Sequence, residues 1–351
     1  MSQQRIAQLL REFDGDAVLI TSPKNRFYYS GFTGTEAALI ITNNENFIFT
    51  DSRYHIQARK QAVDFTLIDS AKTSPADFLK QHSARQIGIE EDSMTVREHQ
   101  RLCKTLERAS LEGISHLIRQ QRKIKDAGEI ALIRRAAEIA DSAFSHILSK
   151  ISAGRTEREL ALELEFFMRS QGAEGLSFET VFASGLRSAM PHGTASDKVL
   201  EKGDFVTMDF GCLYGGYCSD MTRTVVLGHA SEKQKEIYEI VLRAQNAALG
   251  TVRAGILARD ADKAARDIIT DAGYGECFGH SLGHSLGLDI HEFPSLSPKS
   301  EERLSAGMFV TDEPGIYIEG FGGVRIEDLL LVTEDGCENL TSSPKELLEL
   351  N

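Results

Sequence analysis

The stretch of the chain that most constrains its fold is residues 203–227, GDFVTMDFGCLYGGYCSDMTRTVVL. Two runs rich in Val, Thr, Tyr and Phe flank the pair Gly215-Gly216, a pattern typical of a β-hairpin with a two-residue turn. Such a turn pairs Tyr214 with Tyr217 and thereby sets the register of both strands.

This register decides where the two acids of the hairpin lie. Asp209 falls opposite Thr222, so Asp209 and Asp220 share one face as diagonal neighbours, roughly 7–8 Å apart at the backbone. One residue more or less in the turn would put them on opposite faces. Because two carboxylates on one face repel each other, we expect a cation between them.

The hairpin has a second copy in the chain. GDFVTMD at 203–209 recurs as GMFVTDE at 307–313, which aligns Glu313 with the first acid of the first hairpin. An acid that precedes an apolar strand likewise recurs at Glu327. Each copy follows a long helical region, so we predict an internal duplication of a helix–helix–hairpin unit. Four carboxylates could then meet between the two hairpins.

Length, charge and cysteine content narrow the class of protein. A chain of 351 residues predicts two domains. The formal charge of −13 argues against nucleic acid or an anionic membrane as a partner. The five cysteines include no CxxC pair, and their odd number fits reduced thiols in a cytoplasmic protein. We expect no signal peptide, because the N-terminus carries Arg5, Arg11, Glu12 and Asp14 and no long apolar core. We expect no membrane span, because no apolar run approaches about 20 residues.

We predict the domain boundary in the charged stretch 119–125, RQQRKIK, which would act as a linker. Residues 1–122 are then an α/β domain and residues 123–351 a second domain. In the first domain the patterns predict strands at 17–20, 37–41, 47–50, 65–69 and 86–89, and helices at 2–12, 52–63, 75–82 and 95–107.

Helix starts in the second domain carry a common signal. Capping boxes are predicted at Asp126-x-x-Glu129, Thr156-x-x-Glu159 and Ser231-x-x-Gln234. A further helix is expected from about 259 to 273. Between the first helix pair and the first hairpin, the polar segment 184–197 reads as a loop that carries Pro191-His192-Gly193.

The four acids together with one histidine would form a site rich in oxygen donors. Oxygen and imidazole ligands suit Mn, Co, Fe or Zn and argue against a structural zinc site. Bridging carboxylates can hold two ions about 3.5–4 Å apart, as hydrolases use them. For any single acid, a surface or salt-bridged position is the ordinary explanation. That explanation would have to hold independently for all four acids of the repeated hairpins, which would be four coincidences.

Three histidines lie close together in the sequence, and spacing alone does not decide which of them binds metal. They are His280, His284 and His291. Gly283 and Gly287 favour extended or turning backbone over a helix here. Because 284 and 291 differ by an odd number, a bulge or loop must intervene if both side chains face one site.

The motifs of the chain resemble those of the pita-bread metallopeptidases, and more narrowly the Xaa-Pro peptidases, prolidase and aminopeptidase P. The matching segments are SGLRSAMPHG (184–193), MDFG (208–211), SDMTRT (219–224), HSLGHSLGLDIHE (280–292), DEPGIY (312–317) and GGVRIED (322–328). NRFYYSGFTGT (25–35) and TDSRYHIQA (50–58) resemble the creatinase-like N-terminal domain of those enzymes. The resemblance implies an α/β N-terminal domain and an α+β pita-bread domain with an internal pseudo-twofold duplication.

The resemblance also implies roles for individual residues. Asp209 would bind one divalent ion, His284 and Glu313 the other, and Asp220 and Glu327 both. Manganese is the expected metal, with cobalt or zinc as alternatives.

Further roles follow from the same resemblance. Glu313 would also shuttle a proton. His192 and His291 would contact the scissile carbonyl and the oxyanion. Arg325 would hold a ligand carboxylate. Ser285 departs from the family, because many relatives have Gly after the ligand histidine.

The implied function is hydrolysis of the bond between an N-terminal residue and a following proline. Whether dipeptides or longer peptides are preferred stays open, as does the preferred Xaa side chain. The resemblance further implies a homodimer in which the loop 31–36 of one subunit approaches the site of the other.

Other functions remain to be weighed. A methionine aminopeptidase usually lacks such an N-terminal domain, and creatine amidinohydrolase lacks the metal ligands. From a different class, a non-catalytic peptide-binding module is the alternative.

Overall fold

The computed structural model describes residues 2–351, and internal contacts divide the chain into two units, Met1–Arg122 and Lys123–Asn351. The boundary falls in the last turn of a helix that extends to Lys123. The charged stretch 119–125 is therefore not an extended linker, and Lys123 and Lys125 are buried although they belong to a charge run. Among residues 2–351, no helix is both long enough and apolar enough to cross a membrane.

The first unit is an α/β domain built on one mixed sheet. Its strands lie in the order β4-β3-β2-β1-β5-β6, with β1–β2 and β2–β3 antiparallel and the other pairs parallel. The elements are α1 (Ser2–Glu12), β1 (Ala17–Ile20), α2 (Pro23–Ser30), β2 (Ala38–Ile41), β3 (Asn46–Thr50), α3 (His55–Gln61), β4 (Thr66–Asp69), α4 (Pro75–Gln81), β5 (Gln86–Ile89), α5 (Val96–Thr105), β6 (Ser110–Gly113) and α6 (Ser115–Lys123).

Three elements of this unit are absent from the sequence predictions: α2, β6 and α6. Helix α2 begins with a proline, and Ser22 accepts a hydrogen bond from the main-chain N–H of Asn25. The sequence signal for its start was therefore present. The aromatic run that follows is typical of strands, yet Tyr28 and Tyr29 are buried as part of a helix. Burial against the rest of the unit decides the structure of this segment.

The second unit contains the same order of elements twice. The first copy comprises α7 (Ala127–Leu148), α8 (Glu157–Ser170), β7 (Gly175–Leu176), β8 (Val181–Ser184), β9 (Phe205–Phe210), β10 (Cys212–Tyr214), β11 (Tyr217–Cys218) and β12 (Met221–Leu227). The second comprises α9 (Glu232–Leu249), α10 (Ala258–Asp271), β13 (Gly283–Ser285), β14 (Glu292–Leu296), β15 (Phe309–Asp312), β16 (Gly315–Ile318), β17 (Gly322–Arg325) and β18 (Asp328–Val332). Strands β19 (Cys337–Asn339) and β20 (Glu349–Leu350) follow, and the predicted duplication is confirmed.

Each helix pair packs on its own hairpin, which gives the unit two hydrophobic cores. Residues of α7 and α8, including Ile139, Phe144 and Leu164, pack with β9 and β12. Residues of α9 and α10, including Val241 and Ile269, pack mainly with β15 to β18. All three predicted capping boxes are present at the helix starts. Each helix pair therefore covers the apolar face of one hairpin.

The register predicted for the first hairpin is confirmed. Tyr214 pairs with Tyr217, and Asp209 pairs with Thr222. The two glycines of the turn have φ of +57° and +80°, a conformation that side chains with a Cβ rarely adopt. The segment 184–197, expected to be a loop, contains a short 3₁₀ helix, Gly185–Ala189.

Candidate metal centre

Asp209 lies next to a break in the first hairpin, and Asp220 lies within that break. The ladder of β9 and β12 ends at Phe210 and Met221 and resumes in β10 and β11. At the break the strands approach so closely that a Cβ on Gly211 would lie 1.9 Å from the Ser219 oxygen. Only glycine fits there, and the close approach keeps both acids on the inner face.

Glu313 and Glu327 occupy the matching break in the second hairpin. Asp312 pairs with Asp328 on one side of the break and Gly315 with Arg325 on the other, so the two glutamates face each other. The main-chain N–H of Glu327 donates to the main-chain oxygen of Thr222 at 3.1 Å. This bond ties the two hairpins together beside the carboxylates.

His284 reaches the carboxylates from β13, where the register shifts between His284 and Ser285. This register shift and the loop 286–291 between β13 and β14 agree with the bulge or loop expected from the odd spacing of His284 and His291. Nδ1 of His284 lies 3.1 Å from the main-chain oxygen of Ser285. A carbonyl oxygen can only accept a hydrogen bond, so Nδ1 carries the proton. Nε2 keeps its lone pair and lies 3.5 Å from both Asp220 Oδ2 and Glu313 Oε1.

Burial raises the pKa of all four acids, and neighbouring carboxylates add to the shift in Asp220, Glu313 and Glu327. Desolvation is the largest cause for each, followed by neighbouring carboxylates for Asp220 and Glu327, whose pKa values lie well above the usual range. Burial raises the pKa of Glu313 to about 8 and also raises the pKa of Asp209, and Arg325 opposes the shift in both. Burial also lowers the pKa of His284 to about 4, so its imidazole is neutral at pH 7.

Several oxygens of this cluster have no hydrogen-bond partner. Within residues 2–351, Asp209 Oδ1, Asp220 Oδ1 and Glu327 Oε1 are buried and unpaired. Ligand atoms of Asp220, His284 and Glu327 lie within 4.8 Å of one another. When ionised, these two buried and two partly buried acids carry more negative charge than Arg325 balances, and divalent cations would neutralise the surplus. The oxygen and imidazole donors therefore fit two such ions.

Arg325 makes the carboxylate contact that the sequence led us to expect. Nη2 donates to Asp209 Oδ2 at 2.7 Å, and Nε donates to Thr222 Oγ1 at 3.0 Å. Nη1 donates to Tyr317 Oη at 2.7 Å and to the Pro191 oxygen at 3.2 Å. One guanidinium thus links an acid of the first hairpin to the residue that precedes His192.

His280 occupies a different position from His284. Its Nδ1 donates to the Ser281 oxygen at 2.8 Å, which leaves Nε2 to accept from Tyr317 Oη at 3.0 Å. Burial lowers the pKa of His280 to about 4. Sequence reasoning did not assign a function to Tyr317, although the residue lies in the DEPGIY motif.

All the residues singled out from the sequence line one open pocket of about 500 Å³: His192, Asp209, Asp220, His284, His291, Glu313, Arg325 and Glu327. The His284 and His291 rings are 4.4 Å apart at their centroids. Phe178, Val181 and Ile290 form an apolar part of the lining that the sequence predictions did not include. Phe178 and Val181 lie outside the motifs, and Ile290 lies within HSLGHSLGLDIHE beside His291, where sequence reasoning considered only the histidines.

Comparison with known proteins agrees with this architecture. The family model "Metallopeptidase family M24" matches residues 131–334, and "Creatinase/Prolidase N-terminal domain" matches residues 3–124. The chain is 40% identical to the Xaa-Pro dipeptidase of Pyrococcus horikoshii, with 98% of each chain covered.

Two solved structures are also similar. The Xaa-Pro dipeptidase from Bacillus anthracis has a TM-score of 0.97 and 47% identity, with both chains fully covered. The X-Pro aminopeptidase from Thermotoga maritima has a TM-score of 0.92 and 40% identity, covering 97% of this chain and 99% of that one. The predicted fold class, a creatinase-like α/β domain followed by a pita-bread domain, is confirmed, and the chain belongs to metallopeptidase family M24.

Proposed function

We propose that this chain is an Xaa-Pro dipeptidase that cleaves the bond between an N-terminal residue and a following proline. The observation that carries the proposal is a cluster of two buried acids, two partly buried acids and one neutral histidine, which line one open pocket and include three unpaired oxygens. The relatives named Xaa-Pro dipeptidase support the choice of substrate. Because one similar structure is an X-Pro aminopeptidase, the length of the peptide is the point that most needs a test.

The proposed ligands of two divalent ions are Asp209, Asp220, His284, Glu313 and Glu327. Asp209 would serve one ion, His284 and Glu313 the other, and Asp220 and Glu327 both. Such ions lower the pKa of a water molecule and polarise a carbonyl oxygen. We propose manganese as the physiological metal, with cobalt or zinc able to replace it.

Glu313 is the proposed proton carrier. Its carboxylate lies among the other acids at the floor of the pocket, and burial raises its pKa to about 8 in the metal-free protein. A carboxylate can take the proton of the attacking water and give it to the leaving proline nitrogen. Proline leaves as a secondary amine, which needs that proton because its nitrogen carried none in the peptide.

His192 and His291 are the proposed hydrogen-bond donors to the reacting carbonyl. Both line the pocket beside the acids, and neither is counted as a ligand. A donor aimed at the oxygen that becomes negatively charged stabilises the transition state more than the substrate. Phe178, Val181 and Ile290 would contact apolar parts of the substrate.

We also propose the domain assignment, assembly and location of the protein. Residues 1–122 would be the creatinase-like domain and residues 123–351 the catalytic domain. Two chains would form a homodimer in which the loop 31–36 of one approaches the site of the other. The protein would act in the cytoplasm on Xaa-Pro dipeptides, without nucleic-acid or membrane partners.

Product analysis after metal reconstitution tests the function. The metal-free protein is incubated with Mn²⁺ or Co²⁺ and then with Leu-Pro, Leu-Pro-Gly or Leu-Leu. A dipeptidase releases leucine from Leu-Pro and leaves the other two largely intact, whereas an aminopeptidase also cleaves Leu-Pro-Gly. A protein that takes up no metal and cleaves none of these peptides would contradict the proposal and favour a peptide-binding module. Light scattering on the same sample measures the oligomeric state.

A further inference from the structure

Thr222 bridges an arginine and a glutamate at the floor of the pocket. Its side chain is fully buried, and its Oγ1 accepts a hydrogen bond from Arg325 Nε at 3.0 Å. The same Oγ1 lies 2.7 Å from Glu327 Oε2. Thr222 therefore contacts a proposed metal ligand and is not itself among the residues that line the pocket.

Thr311 makes the corresponding contacts beside the other glutamate. It is also fully buried, and its Oγ1 accepts from the main-chain N–H of His284 at 3.0 Å. Oγ1 lies 3.1 Å from Glu313 Oε1. One hydroxyl thus joins the two proposed ligands that approach from different strands.

The direction of these hydrogen bonds is fixed. A threonine hydroxyl has one proton, and an N–H group cannot accept it. Each hydroxyl therefore receives the N–H and donates its own proton to the carboxylate. One oxygen of each glutamate is held in this way, and Glu327 Oε1 is left buried and unpaired within the described residues. In Glu327 the hydroxyl thus leaves the other oxygen available, and in Glu313 it holds the oxygen that lies 3.5 Å from His284 Nε2.

We propose that Thr222 and Thr311 are positioning residues that hold Glu327 and Glu313 in the orientation needed to bind two divalent ions. The inference rests on the proposed function of these glutamates as metal ligands. Groups that hydrogen-bond to ligands fix the geometry of a metal site, and their loss typically lowers metal affinity about 10- to 100-fold.

Thr207 provides a matched control in the same protein. It occupies the position in the first repeat that Thr311 occupies in the second, and it is 3% exposed. Its Oγ1 bonds to Thr224 Oγ1 at 3.1 Å and to the Gly323 oxygen at 3.4 Å. Neither contact is to a carboxylate, so loss of this hydroxyl removes buried hydrogen bonds without touching a proposed ligand.

Calorimetric titration of the metal-free protein with Mn²⁺, together with the absorption spectrum of the Co²⁺ form, tests the proposal. Thr222→Val and Thr311→Val should each lower the Mn²⁺ affinity of at least one of the two metal sites about 10- to 100-fold and should change the absorption spectrum of the Co²⁺ form. Thr222→Ser and Thr311→Ser keep the hydroxyl and should retain near-normal affinity. Thr207→Val should bind metal as the unsubstituted protein does. Normal affinity and spectrum in both valine variants would overturn the proposal.

Folding and function are separated by two further comparisons. If a valine variant unfolds, Thr→Ala and Thr→Ser at the same position both lose the methyl group and differ only in the hydroxyl, so their difference in affinity replaces the valine result. If the unsubstituted protein binds fewer than two ions or leaves Leu-Pro intact, the proposed function fails. If it binds two ions and the alanine and serine variants do not differ, only the role of the threonines fails.

Discussion

Arg223 and Asp328 form an ion pair in the interior of the catalytic unit, with Nη2 2.8 Å from Oδ1 and side chains 1% and 0% exposed. Arg223 follows Thr222 on β12, and Asp328 follows Glu327 in the other hairpin. Arg223 also donates to the main-chain oxygens of Thr222 and Glu327. The pair thus joins the two hairpins one residue away from the acids of the pocket.

Replacing Arg223 with methionine should therefore destabilise the catalytic unit strongly. It leaves the buried Asp328 with Lys345 as its remaining cation. Breaking a buried pair typically costs about 3–5 kcal/mol, and we expect a loss toward the lower end of that range. Hydrogen exchange of the main-chain amides of β9 and β12 in increasing urea measures the stability of the catalytic unit separately from that of the first unit. Lys263→Met removes an exposed pair with Asp267 and should leave the exchange midpoint unchanged. Equal midpoints for the two variants would contradict the prediction.

Asp220→Asn should lower metal content and turnover together. The substitution keeps the volume but removes a charge that, on our proposal, both ions share. Metal content per chain by mass spectrometry and hydrolysis of Leu-Pro are measured on one sample. Asp267→Asn, on the exposed face of α10, is the control and should change neither quantity. Two bound ions and full activity in Asp220→Asn would rule out the bridging role.

His291→Ala and His284→Ala should have different effects. His291→Ala should keep both ions and lose about 10²–10³-fold in kcat, because a donor to the oxyanion is removed. His284→Ala should lose metal, since Nε2 of His284 is the imidazole nitrogen beside Asp220 and Glu313. Metal content and kcat of both variants check this assignment. The reverse pattern would mean that the ligand histidine is wrong.

His280 should make the metal-free protein more sensitive to acid. Its folded-state pKa is lowered to about 4, whereas an unfolded histidine titrates near 6.5. As the pH falls below about 6.5, the unfolded state takes up a proton that folded His280 does not, so the free energy of unfolding decreases. Between pH 7 and pH 5 this contribution is about 2 kcal/mol.

His280→Gln, which can still accept from Tyr317, should remove that contribution. Urea unfolding of the metal-free proteins at pH 7 and pH 5 measures the difference between variant and unsubstituted chain. The unsubstituted chain must be compared with the variant because the four acids have raised pKa values in the folded state. Their protonation increases the free energy of unfolding as the pH falls, which opposes the effect of His280. An identical pH dependence for both proteins would contradict the prediction.

The sequence was sufficient where a local pattern controls the structure. The Gly-Gly turn fixed the pairing of Tyr214 with Tyr217, and strand alternation then placed Asp209 opposite Thr222. The capping boxes marked three helix starts correctly, since each depends on residues three positions apart. The internal repeat, together with the family motifs, predicted the duplicated architecture.

Local patterns failed where contacts with distant residues decide the outcome. The segment of α2 carries aromatic residues typical of strands, yet it is helical because Tyr28 and Tyr29 are buried there. The stretch 119–125 is charged, yet Lys125 is buried beside Glu292, a partner distant in sequence. The apolar lining of the pocket likewise has no pattern of its own in the sequence.

The sequence by itself therefore determined that Asp209 and Asp220 share a face and that a bulge or loop must separate His284 from His291 if both face one site. Only the tertiary structure decided that Asp209, Asp220, Glu313 and Glu327 meet at one pocket, and that His284 lies beside the carboxylates while His280 bonds to Tyr317. The reason is physical: register is set by neighbours along one hairpin, whereas the approach of two hairpins depends on the packing of two separate cores.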